Sequence, residues 1–412
     1  MSDLLARVLS IAPQLGPVLA AVPKTFDPAM VKAAASAQVG GLTDFGTDLD
    51  EPLALLCASS DTEAGLNPLG RMLMFNAMRS SLVNRLLLND LRRRDAPELQ
   101  TPLQAPIIVT GLPRTGTTAL HRLLAADPRH AGVPFWRLML PLDRTATDTP
   151  AARLAEVEAT LTLRHSLTPG LDAIHRMRAD VAEECMHLTA SSLRCRLFWN
   201  LAPVYGFQDW LNTADKTEKY RDYVDWLRLM QSHAPGKRLV MKAPDHIDGL
   251  DALLTALPEA MVVMTHRDLD EQTSSYLSLG RATRTMAVAH LDEAREYAAI
   301  LRMTEASIAH AVMANRRHPG RIRHVLYRDF VQDPVSAVQA IYRGFGLELD
   351  AAARQALESH SLGNRRGAHG DHQYDRQSPR STQGDYPALL ARYDALIAQE
   401  DGNALREGRF DL

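Results

Sequence analysis

Residues 107–124, IIVTGLPRTGTTALHRLL, constrain the fold more than any other stretch of the chain. A short apolar run, Ile107-Ile108-Val109, follows the breaker segment TPLQAP. A β-branched run of that length between punctuators reads as a buried parallel strand. Gly111 and Gly116 then stand five positions apart, and ALHRLLAADP continues with helix-spaced leucines until Pro128. The order is strand, glycine loop, helix. In such a unit small residues let the backbone N–H groups at a helix N-terminus close on an oxyanion.

The same style recurs along the chain. RLVMK at 238–242, MVVMT at 261–265 and IRHVLY at 322–327 read as further buried strands. Helical patterns lie between them, including a long one near 289–316. Strands alternating with helices predict an α/β fold, here a P-loop-like parallel β-sheet flanked by helices. Asp333 offers an N-cap, Pro334 a first helical residue and Gly346 a C-cap, which predicts a helix over VSAVQAIYRGFG. Residues 1–98 read as a helical N-terminal extension packed on the core, with 99–412 as one compact α/β unit. Within the extension, Met72, Met74, Leu82, Leu86 and Leu87 recur at helix spacing and read as core. Arg92, Arg93 and Arg94 read as a solvated helix end that complements the dipole. Residues 361–386 are glycine-rich and polar, almost free of aliphatics, and read as a long loop. There is no internal repeat.

Composition narrows the function classes. With 46% hydrophobic and 23% charged residues over 412 positions, the chain has the makings of a large core and not of a disordered tail. Its net charge of -3 lacks the basic excess of a protein that lives on nucleic acid phosphates. Cys57, Cys185 and Cys195 form no C-x-x-C pair and no disulfide framework, so a reduced cytoplasm fits best. The first residues carry Asp3 and break their apolar stretch with Gln14 and Gly16, which is unlike a signal peptide. No window reaches eighteen uninterrupted apolar residues, so no membrane span is expected. No H-E-x-x-H, C-x-x-C or calcium-loop spacing occurs, so no metal is expected. No G-x-S-x-G elbow occurs either.

The glycine loop departs from the nucleotide triphosphatase version in one decisive place. The frame G-x-x-x-x-G asks for Lys at the next position, and this chain has Thr117. The cation inside the loop is Arg114. The bland alternative is a turn whose glycines only fit the backbone. Against it, a strand, a glycine pair, a cation and two hydroxyls coincide in the right order. No acidic residue beside the loop presents itself as a magnesium ligand. The mix points to a phosphate or sulfate held by N–H groups, Thr117, Thr118 and a guanidinium, without a site built around Mg²⁺.

At this level the chain resembles the sulfotransferase superfamily, and more closely its bacterial branch with an arginine in the loop. Four further segments carry the resemblance in the family's order: VMKAPDHI at 240–247, MTHRDLDEQTSSYLSL at 264–279, LYRDFVQDP at 326–334 and RRGAHGD at 365–371. The resemblance implies a donor, 3′-phosphoadenosine 5′-phosphosulfate, and transfer of its sulfuryl group to a hydroxyl or amine of a small-molecule acceptor. Adenosine 3′,5′-bisphosphate would be the other product. It further implies that Arg114, Thr115, Gly116, Thr117 and Thr118 hold the 5′-phosphosulfate. Arg267 and Ser275 would hold the 3′-phosphate, with Arg365, Arg366 and Gly367 completing the clamp. Tyr327 would lie near the adenine.

Sulfuryl transfer builds negative charge on the bridging oxygen, and fixed donors aimed there lower the barrier. Arg114 and Lys242 are the cations expected to do so. The acceptor must lose a proton, and His246, four residues past Lys242 and just beyond a strand end, is the expected base. Each has a plainer reading: Asp245 as the cap of a helix from Ile247, Lys242 as a solvated strand-end cation, Arg267 as a partner of Asp268 or Asp270. VAEECMHL, 181–188, reads either as an ordinary helix face or as a source of carboxylates, Glu183 and Glu184, near the acceptor. Arg137 stands where many bacterial relatives have a glutamate, which favours His246 as the base. Leu269 stands where relatives usually have proline. Trp136, Phe198, Trp199, Tyr205, Phe207, Trp210, Tyr220, Tyr223 and Trp226 would suit an apolar or aromatic alcohol, or simply a core. The competing functions are a P-loop nucleotide kinase and a non-catalytic nucleotide-binding module. The sequence leaves the acceptor and the oligomeric state open.

Overall fold

The computed structural model describes residues 22–168, 177–363 and 386–398. In chain order the elements that frame the site are α1 (Pro28–Gln38), α2 (Asp50–Thr62), α3 (Pro68–Arg93), β1 (Ile107–Gly111), α4 (Thr117–Leu124), β2 (His130–Gly132) and α5 (Thr217–Ser232). They continue with β3 (Arg238–Lys242), β4 (Met261–His266), α6 (Leu269–Arg284), α7 (Glu293–Arg317), β5 (Ile322–Leu326), α8 (Pro334–Gly344) and α9 (Tyr386–Ala398). The five strands form one parallel sheet in the order β2-β3-β1-β4-β5.

Every residue of β1 is buried, which is why its sequence opens on an apolar run, Ile107-Ile108-Val109, and not on an alternation. Its side chains still alternate between faces. Ile108 joins Met241, Val262 and the helical residues Leu53, Met74, Leu82 and Leu86 in one cluster. Ile107 and Val109 join Val240, Val263, Leu120, Leu124, Val338 and Ile341 in the other. The N-terminal helices therefore share one face of the sheet's core, and α4 and α8 cover the opposite face.

Local chemistry explains the helix starts. Asp27 accepts from the Met30 N–H at 3.0 Å, Asn67 from that of Gly70 at 2.8 Å and Asp333 from that of Ser336 at 3.0 Å, each followed by proline. Gly346 takes φ 67° just past α8. Two expectations need correcting, and one strand has no local signal. Arg92 is no solvated helix end: it pairs with Asp222 at 2.9 Å and Asp225 at 2.8 Å on α5, while Arg93 and Arg94 stay exposed. The last strand stops at Leu326, and Tyr327 begins a short helix, Tyr327–Gln332. The edge strand β2, HAG after a proline, has no apolar run to signal it.

Sequential connections run from β1 outward to β2, then back through β3 and across to β4. The direction of the strand order reverses at β1. In open parallel sheets the crevice at such a reversal, beyond the carboxyl ends of the strands, is where ligands bind.

Candidate functional site

The loop after β1 is shaped by backbone that only some residues tolerate. Gly111 has φ 142°, and a Cβ there would stand 2.5 Å from the Thr265 carbonyl oxygen. Gly116 has φ 91°, and a Cβ there would stand 2.6 Å from Tyr327 Cδ2. Both glycines are thus required by close approach as well as by conformation. Arg114 also has a positive φ, 71°, which for a side chain with a Cβ costs about 1–2 kcal/mol. Such strain persists where the surroundings hold it, and here they do. The Thr115 hydroxyl is buried, donates to the Leu112 carbonyl at 2.7 Å and lies 2.7 Å from Thr265 Oγ1. It is committed to tying the loop to β4, so what Thr115 has to offer an anion is backbone.

Arg114, Arg267, Ser275 and Tyr327 come together around this loop. Arg114 Nε donates to Ser275 Oγ at 3.0 Å. Arg267 Nη1 donates to the Arg114 carbonyl at 3.3 Å, and Gln272 Nε2 to that of Pro113 at 2.8 Å. The Arg267 guanidinium lies 4.9 Å from the centre of the Tyr327 ring, which itself packs on Gly116. Arg267 pairs with Glu271, one turn into α6, at 3.0 Å. Asp268 instead caps α6 by accepting from the Glu271 N–H at 2.9 Å, so Leu269 in place of proline leaves the helix start intact. Arg365, Arg366 and Gly367 lie outside the described residues.

A second group gathers on the other side of α4's N-terminus. Lys242, fully buried at the end of β3, donates to Thr118 Oγ1 at 3.0 Å, to Glu184 at 2.8 Å and to Glu183 at 3.4 Å. Burial pulls its pKa down, but the Glu184 and Glu183 carboxylates outweigh that and hold the ammonium above its ordinary value. It is not a solvated strand end. Glu183 is shared with Arg122 at 3.3 Å and its side chain is 2% exposed, whereas that of Glu184 keeps 18%. Neither glutamate lies on a helix face. Their segment runs extended, with the Glu183 N–H donating to the Val133 carbonyl and the Cys185 N–H to that of Lys242, before the short helix Met186–Thr189 begins. Thr118 occupies the position whose hydroxyl holds magnesium in a P-loop triphosphatase. Here an ammonium stands against that hydroxyl, and its charge opposes a divalent cation there.

His246 is where the geometry departs most from expectation. It sits in the 3₁₀ turn Pro244–Gly249, fully buried, with Nε2 3.1 Å from Cys185 Sγ and Nδ1 3.1 Å from the Tyr220 hydroxyl. The Tyr220 and Tyr223 rings stand 5.7 and 5.1 Å from its own. Burial lowers its pKa to about 3. A base with both nitrogens engaged and so weak a proton affinity is poorly matched to proton removal near neutral pH. Asp245 caps nothing: it lies inside the turn and pairs with buried Lys219 at 3.0 Å. The turn carries the imidazole into the core and not toward Lys242's partners. Most of the aromatics are core too: Phe198, Trp199, Phe207, Tyr220, Tyr223 and Trp226 are essentially inaccessible. Arg137 lies 4.9 Å from the centre of the Trp136 ring.

Among the described residues, no group of three or more His, Cys, Asp or Glu is arranged to hold a metal ion, and no helix is long and apolar enough to cross a membrane. Cys57, Cys185 and Cys195 are free and buried.

Known proteins resemble the chain in sequence and in shape. A family model described as "Sulfotransferase family" matches residues 106–351, more than half of the chain. The crystal structure of sulfotransferase STF1 from Mycobacterium tuberculosis superposes with a TM-score of 0.76 at 33% identity, over 90% of this chain and 99% of that one. Sulfotransferase STF9 from Mycobacterium avium shares the fold, with a TM-score of 0.74 at 22% identity over 90% of this chain and 96% of that one. The omega-hydroxy-beta-dihydromenaquinone-9 sulfotransferase Stf3 of Mycobacterium bovis is 24% identical over 278 residues, 59% of this chain. That alignment spans 63% of the curated relative's own length.

Proposed function

The chain belongs to the sulfotransferase family, and we propose that it moves a sulfuryl group from 3′-phosphoadenosine 5′-phosphosulfate to a hydroxyl or amine of a small molecule. The observation that carries this reading is the joint between the Arg114 loop and Arg267. The Arg267 guanidinium bonds the Arg114 carbonyl at 3.3 Å, and the Arg114 guanidinium bonds Ser275 at 3.0 Å, at the reversal of strand order. In this reading the two arginines offer cations to the two phosphorylated ends of a single adenosine carrier. The backbone at Thr115–Thr118, capped by Gly116, suits the 5′ end. Arg267 and Ser275 suit the 3′-phosphate, with Arg365, Arg366 and Gly367 proposed to complete it, and Tyr327 sits by the adenine. When bound, the donor supplies the sulfuryl group and a phosphate leaving group.

The chain's own residues then have distinct tasks. Lys242 and Arg114 take up the charge that grows on the bridging oxygen. Lys242 also touches Glu184, so one ammonium spans the donor side and a carboxylate. We assign proton removal from the acceptor to Glu184, the more exposed of the two glutamates, and not to His246. The curated relative is named for an omega-hydroxylated dihydromenaquinone, and we carry over from it only a class: a hydroxyl on an apolar molecule.

The direct test incubates the protein with sulfur-labelled donor and a panel of apolar and aromatic alcohols. Transfer of label to an alcohol, with release of adenosine 3′,5′-bisphosphate, is the expected result. A protein that transfers no label and binds ATP–Mg²⁺ more tightly than the bisphosphate would be a kinase-like enzyme instead.

A further inference from the structure

We infer that Tyr393, on the C-terminal helix α9, is a positioning residue for the 3′-phosphate site. The inference rests on the reading of Arg267 given above. Strand β4 ends at His266, whose last ladder partner is Leu326. Arg267 follows in the two-residue turn before α6, and its backbone N–H needs a partner once the ladder has stopped. That partner comes from 126 residues away: the Arg267 N–H donates to the Tyr393 hydroxyl at 3.3 Å.

The same hydroxyl lies 3.2 Å from His266 Nδ1. His266 Nε2 is in turn 2.7 Å from His324 Nδ1, the two rings stacked at 4.9 Å across β4 and β5. Tyr393 is 1% exposed, and Leu389 and Leu396 on its helix are buried in the main core. The phenol is therefore fixed by its own helix, and it grips the backbone of the residue on which the donor's 3′ end depends. From Arg267 the fixed geometry runs on to Tyr327, the Arg114 carbonyl and Glu271. A phenol that merely filled the core would have no reason to end on this amide. Placed here, it sets where the guanidinium begins, and it links docking of the C-terminal helix to occupation of the nucleotide site.

The experiment titrates the full-length chain with adenosine 3′,5′-bisphosphate and with adenosine 5′-monophosphate, by calorimetry, for wild type, Tyr393→Phe and Arg267→Ala. The quantity read is the ratio of the two dissociation constants, because a general loss of packing weakens both nucleotides alike. Tyr393→Phe is expected to cut the preference for the bisphosphate about fivefold, the worth of one hydrogen bond, while monophosphate affinity stays within about twofold. If Arg267→Ala lowers the ratio and Tyr393→Phe does not, the inference is overturned and the donor reading stands. A wild-type ratio near one overturns both. Amide exchange on wild type covers the case in which Tyr393→Phe fails to fold. Bisphosphate, and not monophosphate, is expected to slow exchange in peptides spanning 386–398 and 264–270 together, and equal protection by the two nucleotides overturns the inference.

Discussion

The two sides of β3 and β1 make a useful contrast. Around Arg114 and Arg267 the side chains are polar, partly accessible and joined through backbone carbonyls to a strained loop. Around His246, four residues beyond Lys242, an imidazole of catalytic type is sealed among Cys185, Tyr220 and Tyr223. Both regions carry residue types that chemistry favours. What separates them is solvent: the first can exchange its present partners for a ligand's oxygens, whereas the second would have to expose a buried polar network to do so. Residue identity nominates a catalytic group, and burial decides whether it can act.

The largest expected effect breaks this contrast directly. Glu184→Gln keeps shape and a hydrogen-bond acceptor beside Lys242 but removes the proton acceptor. Its kcat is expected to fall by about 10²–10⁴, with donor binding little changed, the usual worth of a general base. His246→Gln is expected to lower activity far less and to leave the shape of the pH–rate profile unchanged. Steady-state kinetics over a pH series checks both. A lost limb in the His246→Gln profile, with Glu184→Gln still active, would return the base to the histidine.

Next in size is the donor clamp. Arg267→Ala should weaken binding of adenosine 3′,5′-bisphosphate by about 1.5–3 kcal/mol, the range for hydrogen bonds to a charged group. Calorimetric titration measures it. The neighbouring Glu271 tempers the gain, since Arg267 must loosen that contact to meet a phosphate. Wild-type affinity that does not distinguish the 3′-phosphorylated from the 3′-dephosphorylated nucleotide would remove Arg267 from the site.

What could be read ahead of the structure follows the range over which each feature is determined. Strands β1, β3 and β4 are buried on both faces, so their apolar runs announce them, while the edge strand β5 shows itself by Ile322, Val325 and Leu326 around two polar residues. The positive φ of the loop glycines is a local requirement and equally legible, whereas the close approach of Thr265 and Tyr327 that also demands them is not. The segment around Glu183 was not, because its extended form comes from pairing with residues 133–136, half a hundred positions away. Arg92 looked solvated because the aspartates that bury it lie on α5. Nothing local marks Tyr393 either, since its partner Arg267 belongs to another element entirely.

The smallest effect, and the sharpest probe of the sealed region, is in stability. Burial holds His246 and His324 at a pKa of about 3, and His121 and His187 at about 4. An unfolded histidine binds its proton near pH 6.5. Between these values the unfolded chain carries more protons than the folded one, so stability rises with pH there. Each of these histidines therefore leaves stability whole above about pH 6.5 and erodes it by about 1.4 kcal/mol for each pH unit below. His246→Gln deletes one such contribution. Whatever the substitution does to stability at neutral pH, the slope of unfolding free energy between about pH 6 and 4 should become shallower by that amount. Denaturant titrations at several pH values measure the slope independently of the offset. Parallel slopes for variant and wild type would mean that His246 takes up a proton in the folded state almost as readily as in the unfolded chain. Water would then reach it, the sealed pocket would not exist in solution, and the contrast drawn between the two regions would fail at its base.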